Sequence, residues 1–162
     1  MHTTKLDFRY GTEQQATVAS RFERLCREAG LRLTPQRLAV YEALVASDAH
    51  PSAEGVCRVV RQRYPNISLD TVNRTLGTLV RIGAAFVVEG TGEPKRFDGR
   101  LSDHVHFRCI RCRRVVDCDD EMVAHPPAPK GLNQAFSILR STVYYEGVCD
   151  RCMETPQTHS VR

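Results

Sequence analysis

The sequence predicts an α+β protein of two small domains, an N-terminal winged helix-turn-helix domain and a C-terminal α/β domain. Three observations lead there: four short amphipathic segments with capping residues in the first half, two short β-rich runs after Gly83, and two Cys-x-x-Cys pairs bracketing the end of the chain. With 162 residues neither domain can bury a large core, so a structural metal would contribute usefully to stability.

The helices follow from spacing and caps. Residues 17–29 carry Phe22, Leu25 and Cys26 at helical intervals and stop at Gly30. In Arg32-Leu33-Thr34-Pro35-Gln36-Arg37, Thr34 caps orphan amides and Pro35 suits the first helical position. The helix that follows runs through Ala46 and buries Leu38, Tyr41, Leu44 and Val45. Ser52 opens a third helix with Val56, Val59 and Val60 inward. It closes near Tyr64-Pro65, because the residue before a proline is pushed out of the helical region.

Ser68 caps the fourth helix, with Val72, Leu76, Leu79 and Val80 on its apolar face and Thr71, Asn73, Arg74, Gly77, Thr78 and Arg81 pointing away. Arginine grips guanine and asparagine adenine through paired hydrogen bonds, and threonines and arginines also reach phosphate, so this face suits a DNA groove as well as plain solvent. Gly77 costs about 1 kcal/mol relative to alanine, which implies either close approach of another surface or a weaker helix. Runs 84–88 and 95–98, joined by a turn at Gly90-Thr91-Gly92, supply the hairpin of a winged helix-turn-helix.

The second half is β-rich at 105–108, 115–117 and 138–145. His125-Pro126-Pro127-Ala128-Pro129 leaves room only for a short helix around 130–135. The expected division is a winged-helix domain at 1–98, a hinge at 99–103 and a second domain at 104–162. No apolar run reaches membrane-spanning length and the first residues lack the apolar segment of a secretory signal, so a cytoplasmic location is expected, with no membrane partner. There the seven cysteines stay reduced. A net charge of +4 permits nucleic-acid binding without requiring it.

Cys109-Ile-Arg-Cys112 and Cys149-Asp-Arg-Cys152 together supply four thiolates, the ligand set of a closed tetrahedral zinc site. A thioredoxin-like role expects one such pair at the start of a helix in a βαβ pattern, which this sequence lacks. Arg111, Arg113, Arg114 and Arg151 offset the thiolate charge; Cys57 reads as packing and Cys118 is left open. Just before the first pair, Asp103-His104-Val105-His106 puts two imidazoles on one face of a strand. By themselves these histidines read equally well as a surface pair, His50 as an exposed loop residue, and Asp98 and Asp117 as ordinary strand-end carboxylates.

The segments 32–37, Ala49-His50-Pro51-Ser52-Ala53, the capped fourth helix, Arg96-Phe97-Asp98, residues 103–112, Val115-Val116-Asp117 and 149–152 resemble, in order and spacing, the ferric uptake regulator (Fur) family. The resemblance spans nearly all the chain after about Thr17 and is greatest to the peroxide-responsive branch, PerR. It implies a homodimeric repressor of double-stranded operator DNA, a second domain that dimerises, structural Zn2+ on the four cysteines, and a regulatory Fe2+ or Mn2+ on His50, Asp98, His104, His106 and Asp117. The iron-responsive branch usually has glutamate where Asp98 and Asp117 stand, and the family usually has tyrosine where Asn73 stands. The resemblance further implies oxidation of His50 and His104 by peroxide, and neither catalysis nor an organic small-molecule substrate; on the winged-helix reading the expected DNA contacts are Arg37, Thr71, Asn73, Arg74 and Thr78. Two rival readings are an iron, manganese or zinc level sensor of the same fold and a metal-dependent hydrolase, for which Glu121 is the best general acid or base.

Overall fold

The computed structural model describes residues 12–88, 94–119 and 140–154, together with residues 123, 126–127, 129, 131 and 136–138. The chain divides into two units, Met1–Leu101 and Ser102–Arg162.

In the first unit, helices α2 (Pro35–Val45), α3 (Ala53–Val60) and α4 (Leu69–Arg81) each begin at a hydroxyl cap. Thr34 Oγ1 accepts from the Arg37 amide at 3.3 Å, Ser52 Oγ from Gly55 at 3.3 Å and Ser68 Oγ from Thr71 at 3.0 Å. Each cap is worth about 1 kcal/mol and fixes where its helix starts. With α1 (Thr12–Glu28) they enclose a core of Phe22, Val40, Tyr41, Leu44, Val56, Val72, Leu76 and Leu79, in which the Phe22 and Tyr41 rings stack at 4.5 Å. Cys26 and Cys57 are buried in it, as packing residues.

Several boundaries differ from the sequence reading. The third helix ends at Val60, and the Tyr64 amide bonds the Val60 carbonyl at 2.8 Å across a turn. The hairpin strands are shorter, β1 (Phe86–Val88) and β2 (Arg96–Asp98), paired antiparallel, because Ala84 and Ala85 are drawn fully into the core. Gly99 is close-packed too: a Cβ there would lie 3.0 Å from Val45 Cγ2 and 3.1 Å from Leu44 Cγ, so a side chain at this exit from β2 would require α2 to give way slightly. The stretch read as a hinge is therefore held to the first unit at its start.

The second unit holds a three-stranded sheet in the order β4-β3-β5, with β3 (Val105–Cys109) in the middle, β4 (Val115–Cys118) antiparallel to it and β5 (Val143–Gly147) parallel. The third strand lies later than the expected 138–145, and a short helix α5 (Asp150–Glu154), unforeseen from sequence, starts directly after Cys149. The turn expected at Gly90-Thr91-Gly92, the helix expected at 130–135 (apart from Gly131) and Glu121 lie outside the described residues.

Gly77 faces open space on the exposed side of α4, with nothing within 4 Å of an added Cβ. No neighbouring surface of this unit requires glycine there. Gly77→Ala should raise stability by about 1 kcal/mol, read as an upward shift of the denaturant midpoint at unchanged slope; a loss would mean that the helix is constrained in some way its packing does not reveal.

Candidate metal centres and nucleic-acid interface

In the first unit, the start of α2 and the outer face of α4 border a groove of about 400 Å³ lined by Thr34, Gln36, Arg37, Thr71, Arg74, Thr75 and Thr78. Four of the five expected DNA contacts thus share one concavity. Asn73 is exposed on the same helix but does not line it. Gln36 and Thr75 were missed by sequence reasoning. Thr75 is a largely buried polar residue whose hydroxyl donates to the Thr71 carbonyl at 2.8 Å, a bond with no signature in apolar spacing.

The same unit presents His50 and Asp98, both buried, with Nε2 and Oδ2 4.0 Å apart. His50 has φ of 46°, a left-handed conformation uncommon for a residue with a side chain. Its surroundings impose it. Arg96 donates to the Ala49 and His50 carbonyls at 3.4 and 3.2 Å, the Phe97 amide bonds the Pro51 carbonyl at 3.1 Å, and Ser52 bridges Arg96 as an added antiparallel partner. Strand β2 therefore holds Asp98 and, through Arg96, the loop bearing His50. Asp98 is itself steered by the Arg100 amide, which donates to Oδ1 at 2.7 Å.

In the second unit, His104 sits just before β3 and His106 on it, and the register sets Asp117 of β4 directly opposite His106. Nδ1 of His104 lies 2.7 Å from the Ser102 carbonyl, an acceptor, so that nitrogen carries the proton and Nε2 offers its lone pair. Nε2 of His104 is 3.0 Å from Nε2 of His106, and each is 3.6 Å from Asp117 Oδ1. The Tyr144 ring stacks on His106 at 5.1 Å. Three electron-rich atoms at this spacing repel unless they share a proton or a cation, and two imidazoles with a carboxylate form a donor set suited to iron or manganese.

The four cysteines converge in the same unit. Their sulfurs lie within 4.8 Å of one another, with Cys112 Sγ and Cys149 Sγ 3.7 Å apart. Bonds of about 2.3 Å in a tetrahedron place sulfurs roughly 3.8 Å apart, so the cluster fits zinc with little movement. The first pair lies on a tight knuckle in which the Arg113 amide donates to the Cys109 carbonyl at 2.9 Å and the Cys109 amide to the Arg114 carbonyl at 2.8 Å. The Cys109 thiol is pushed down to about 6, first by the Cys112 amide and then by the Cys149 and Arg111 amides. Cys152 is pushed up to about 12, chiefly by its hydrogen bond with Cys149. Cysteine ligates a dication as the thiolate, so metal binding at this cluster would be coupled to loss of thiol protons. Arg111 donates to the Cys152 carbonyl at 2.6 Å and Arg114 pairs with Asp150 at 3.1 Å, while Cys118 is exposed.

The pattern of the ferric uptake regulator family matches residues 28–145. The chain belongs to that family. It is 31% identical over 133 residues to the peroxide operon regulator of Bacillus subtilis (strain 168), covering 78% of this chain and 87% of the relative. It is 30% identical over 134 residues to the peroxide-responsive repressor PerR of Staphylococcus epidermidis, covering 79% and 85%. In fold it is similar to the Helicobacter pylori ferric uptake regulator Fur, with a TM-score of 0.68 and 20% identity over 88% of this chain and 96% of the other. A zinc uptake regulator solved with zinc and DNA aligns with a TM-score of 0.59 and 23% identity over 90% and 97%.

As a Fur-family protein the chain is a metal-responsive transcription regulator, and the family is not one of enzymes. No helix among the described residues is long and apolar enough to cross a membrane. One feature of this chain's cysteine knuckle is open to direct test. Arg113 is exposed with φ of 62°. The left-handed region costs a residue with a side chain about 1–2 kcal/mol, and glycine's extra chain entropy about 0.5–1 kcal/mol. Arg113→Gly should therefore stabilise the protein slightly, by up to about 1 kcal/mol, with a higher melting temperature at unchanged metal content. A lower melting temperature would show that the arginine's charge beside the thiolates outweighs the backbone strain.

Proposed function

We propose that the protein is a homodimeric, metal-dependent repressor that binds double-stranded operator DNA and senses peroxide through a regulatory ion held by His50, Asp98, His104, His106 and Asp117. The observation that carries this reading is the convergence of His104 Nε2, His106 Nε2 and Asp117 Oδ1 within 3.0–3.6 Å in the second unit, together with the pre-positioning of His50 and Asp98 within the first. A five-donor site of this type needs ligands from both units. Its occupancy then sets the angle between the DNA-reading unit and the dimerising unit. In a two-fold dimer that angle fixes the separation of the two α4 helices, which must match half-sites a helical turn or its multiple apart.

Within this reading, Cys109, Cys112, Cys149 and Cys152 hold zinc as a permanent cross-link of the second unit. Arg37, Thr71, Asn73, Arg74 and Thr78 meet the DNA, and the shared groove between α2 and α4 supports four of them. Ferrous iron supplies one-electron reduction of peroxide when bound, whereas manganese in the same ligands is far less reactive. His50 and His104 are the side chains oxidised, in net a two-electron change in which one peroxide oxygen adds to the ring and the other leaves as water; the oxidised imidazole would no longer offer its lone pair, so the ligand set would fail and the operator be released. Aspartate at both carboxylate positions, together with about 30% identity to two peroxide regulators, supports a response to peroxide over one to metal level.

Treatment of the ferrous protein with limited peroxide should release the operator and add one oxygen to a peptide containing His50 or His104, seen by mass spectrometry. The manganese form should keep its DNA. Insensitivity of both forms would point to a sensor of metal level, and loss of binding with unmodified histidines would move the chemistry to a thiol such as Cys118.

A further inference from the structure

The proposed DNA-reading helix carries a charge that its task does not explain. Asp70 is the sole carboxylate in α4, sits in its first turn and is 74% exposed on the side of the helix that carries Arg74. It is not needed as a cap, because Ser68 already accepts from the Thr71 amide. As an exposed pair one helical turn apart, Asp70 and Arg74 contribute little to stability, and salt screens what they do contribute. On a surface that approaches a polyanion, a carboxylate weakens binding to every sequence alike.

Asp70 Oδ2 lies 3.1 Å from Arg74 Nε, the inner nitrogen of the guanidinium. With Nε engaged, the two terminal nitrogens remain as an outward fork, the shape that pairs with O6 and N7 of guanine in the major groove. The hydroxyls along the same face are turned inward as donors, Thr75 to the Thr71 carbonyl at 2.8 Å and Thr78 to the Arg74 carbonyl at 2.9 Å. A long side chain without such a brace would swing to the nearest phosphate, a contact that adds affinity but no sequence information.

We infer that Asp70 is a specificity-determining residue: it braces Arg74 so that the guanidinium meets a guanine edge, and its charge keeps that guanidinium from settling on the phosphate backbone. The inference deepens the repressor reading and rests on it.

The test uses the full-length, manganese-loaded protein and a library of random-sequence duplexes. The wild type should select a sequence with a guanine in each half-site. Replacing that base by 7-deazaguanine, which lacks N7, should weaken binding about tenfold. Asp70→Ala should bind random duplex as tightly as the wild type or a few-fold more tightly, and its penalty at the same base should fall below about threefold. Asp70→Asn, which keeps an oxygen acceptor without the charge, should lie between. Circular dichroism and metal content should be the same in all three, since the side chain is exposed. The inference is overturned if Asp70→Ala selects the same sequence with the same penalty, if it weakens random and selected DNA equally, or if the wild type pays no penalty at any guanine. A wild type that selects no sequence at all, with manganese bound, would overturn the repressor reading itself and this one with it.

Discussion

The pairing register of strand β3 is the constraint on which the second unit depends. Its antiparallel pairing with β4 sets His106 opposite Asp117, and its parallel pairing with β5 sets Cys109 opposite Gly147, two residues before Cys149. One strand thus carries a residue of each candidate centre. Side chains alternate between the faces of a strand, so a slip of one residue would turn His106 away from Asp117 and draw Cys109 away from Cys149. Buried Val105 and the packing of Phe107 against the space left by Gly147, where a Cβ would lie 3.1 Å from the ring, hold the register in place. A metal on the four thiolates would secure the far end, joining the β3 knuckle to the start of α5.

A similar economy holds in the first unit. Strand β2 is only three residues long, yet Arg96 ties down the His50 loop, Phe97 fills the core and Asp98 presents a carboxylate. The left-handed backbone at His50 is a conformation that a free loop would leave, and it persists because three hydrogen bonds and a bridge from β2 over-determine it. On the proposed reading, a loop held in this way would lose little further freedom on taking up an ion, which favours tight binding with modest donors.

Much of this was legible in the sequence because the signals were local. Thr34, Ser52 and Ser68 mark helix starts through a hydroxyl within reach of an amide three residues on, and the structure has those bonds. The two cysteine pairs carry their own chemistry in their spacing. What escaped were features set by tertiary contact. The recruitment of Ala84 and Ala85 to the core shortened a strand that propensity alone extends, and the turns after Val60 ended a helix before the proline signal. Gly99 reads as a hinge glycine until the side chains of Leu44 and Val45 are seen beside it. The bracing of the His50 loop by Arg96 spans 46 residues of sequence and has no local mark. For the proposed regulatory ligands, isolated histidines and aspartates are common on protein surfaces, and only family resemblance grouped these five in advance.

On the proposed reading, one cation takes ligands from both units and its occupancy sets operator binding. Anomalous diffraction from crystals of the manganese-loaded protein tests it most directly. One regulatory peak is expected, bonded to imidazole nitrogens of His50, His104 and His106, with Asp98 and Asp117 completing the shell. A peak held by the second unit alone, with His50 turned away in a protein that still grips its operator, would contradict it.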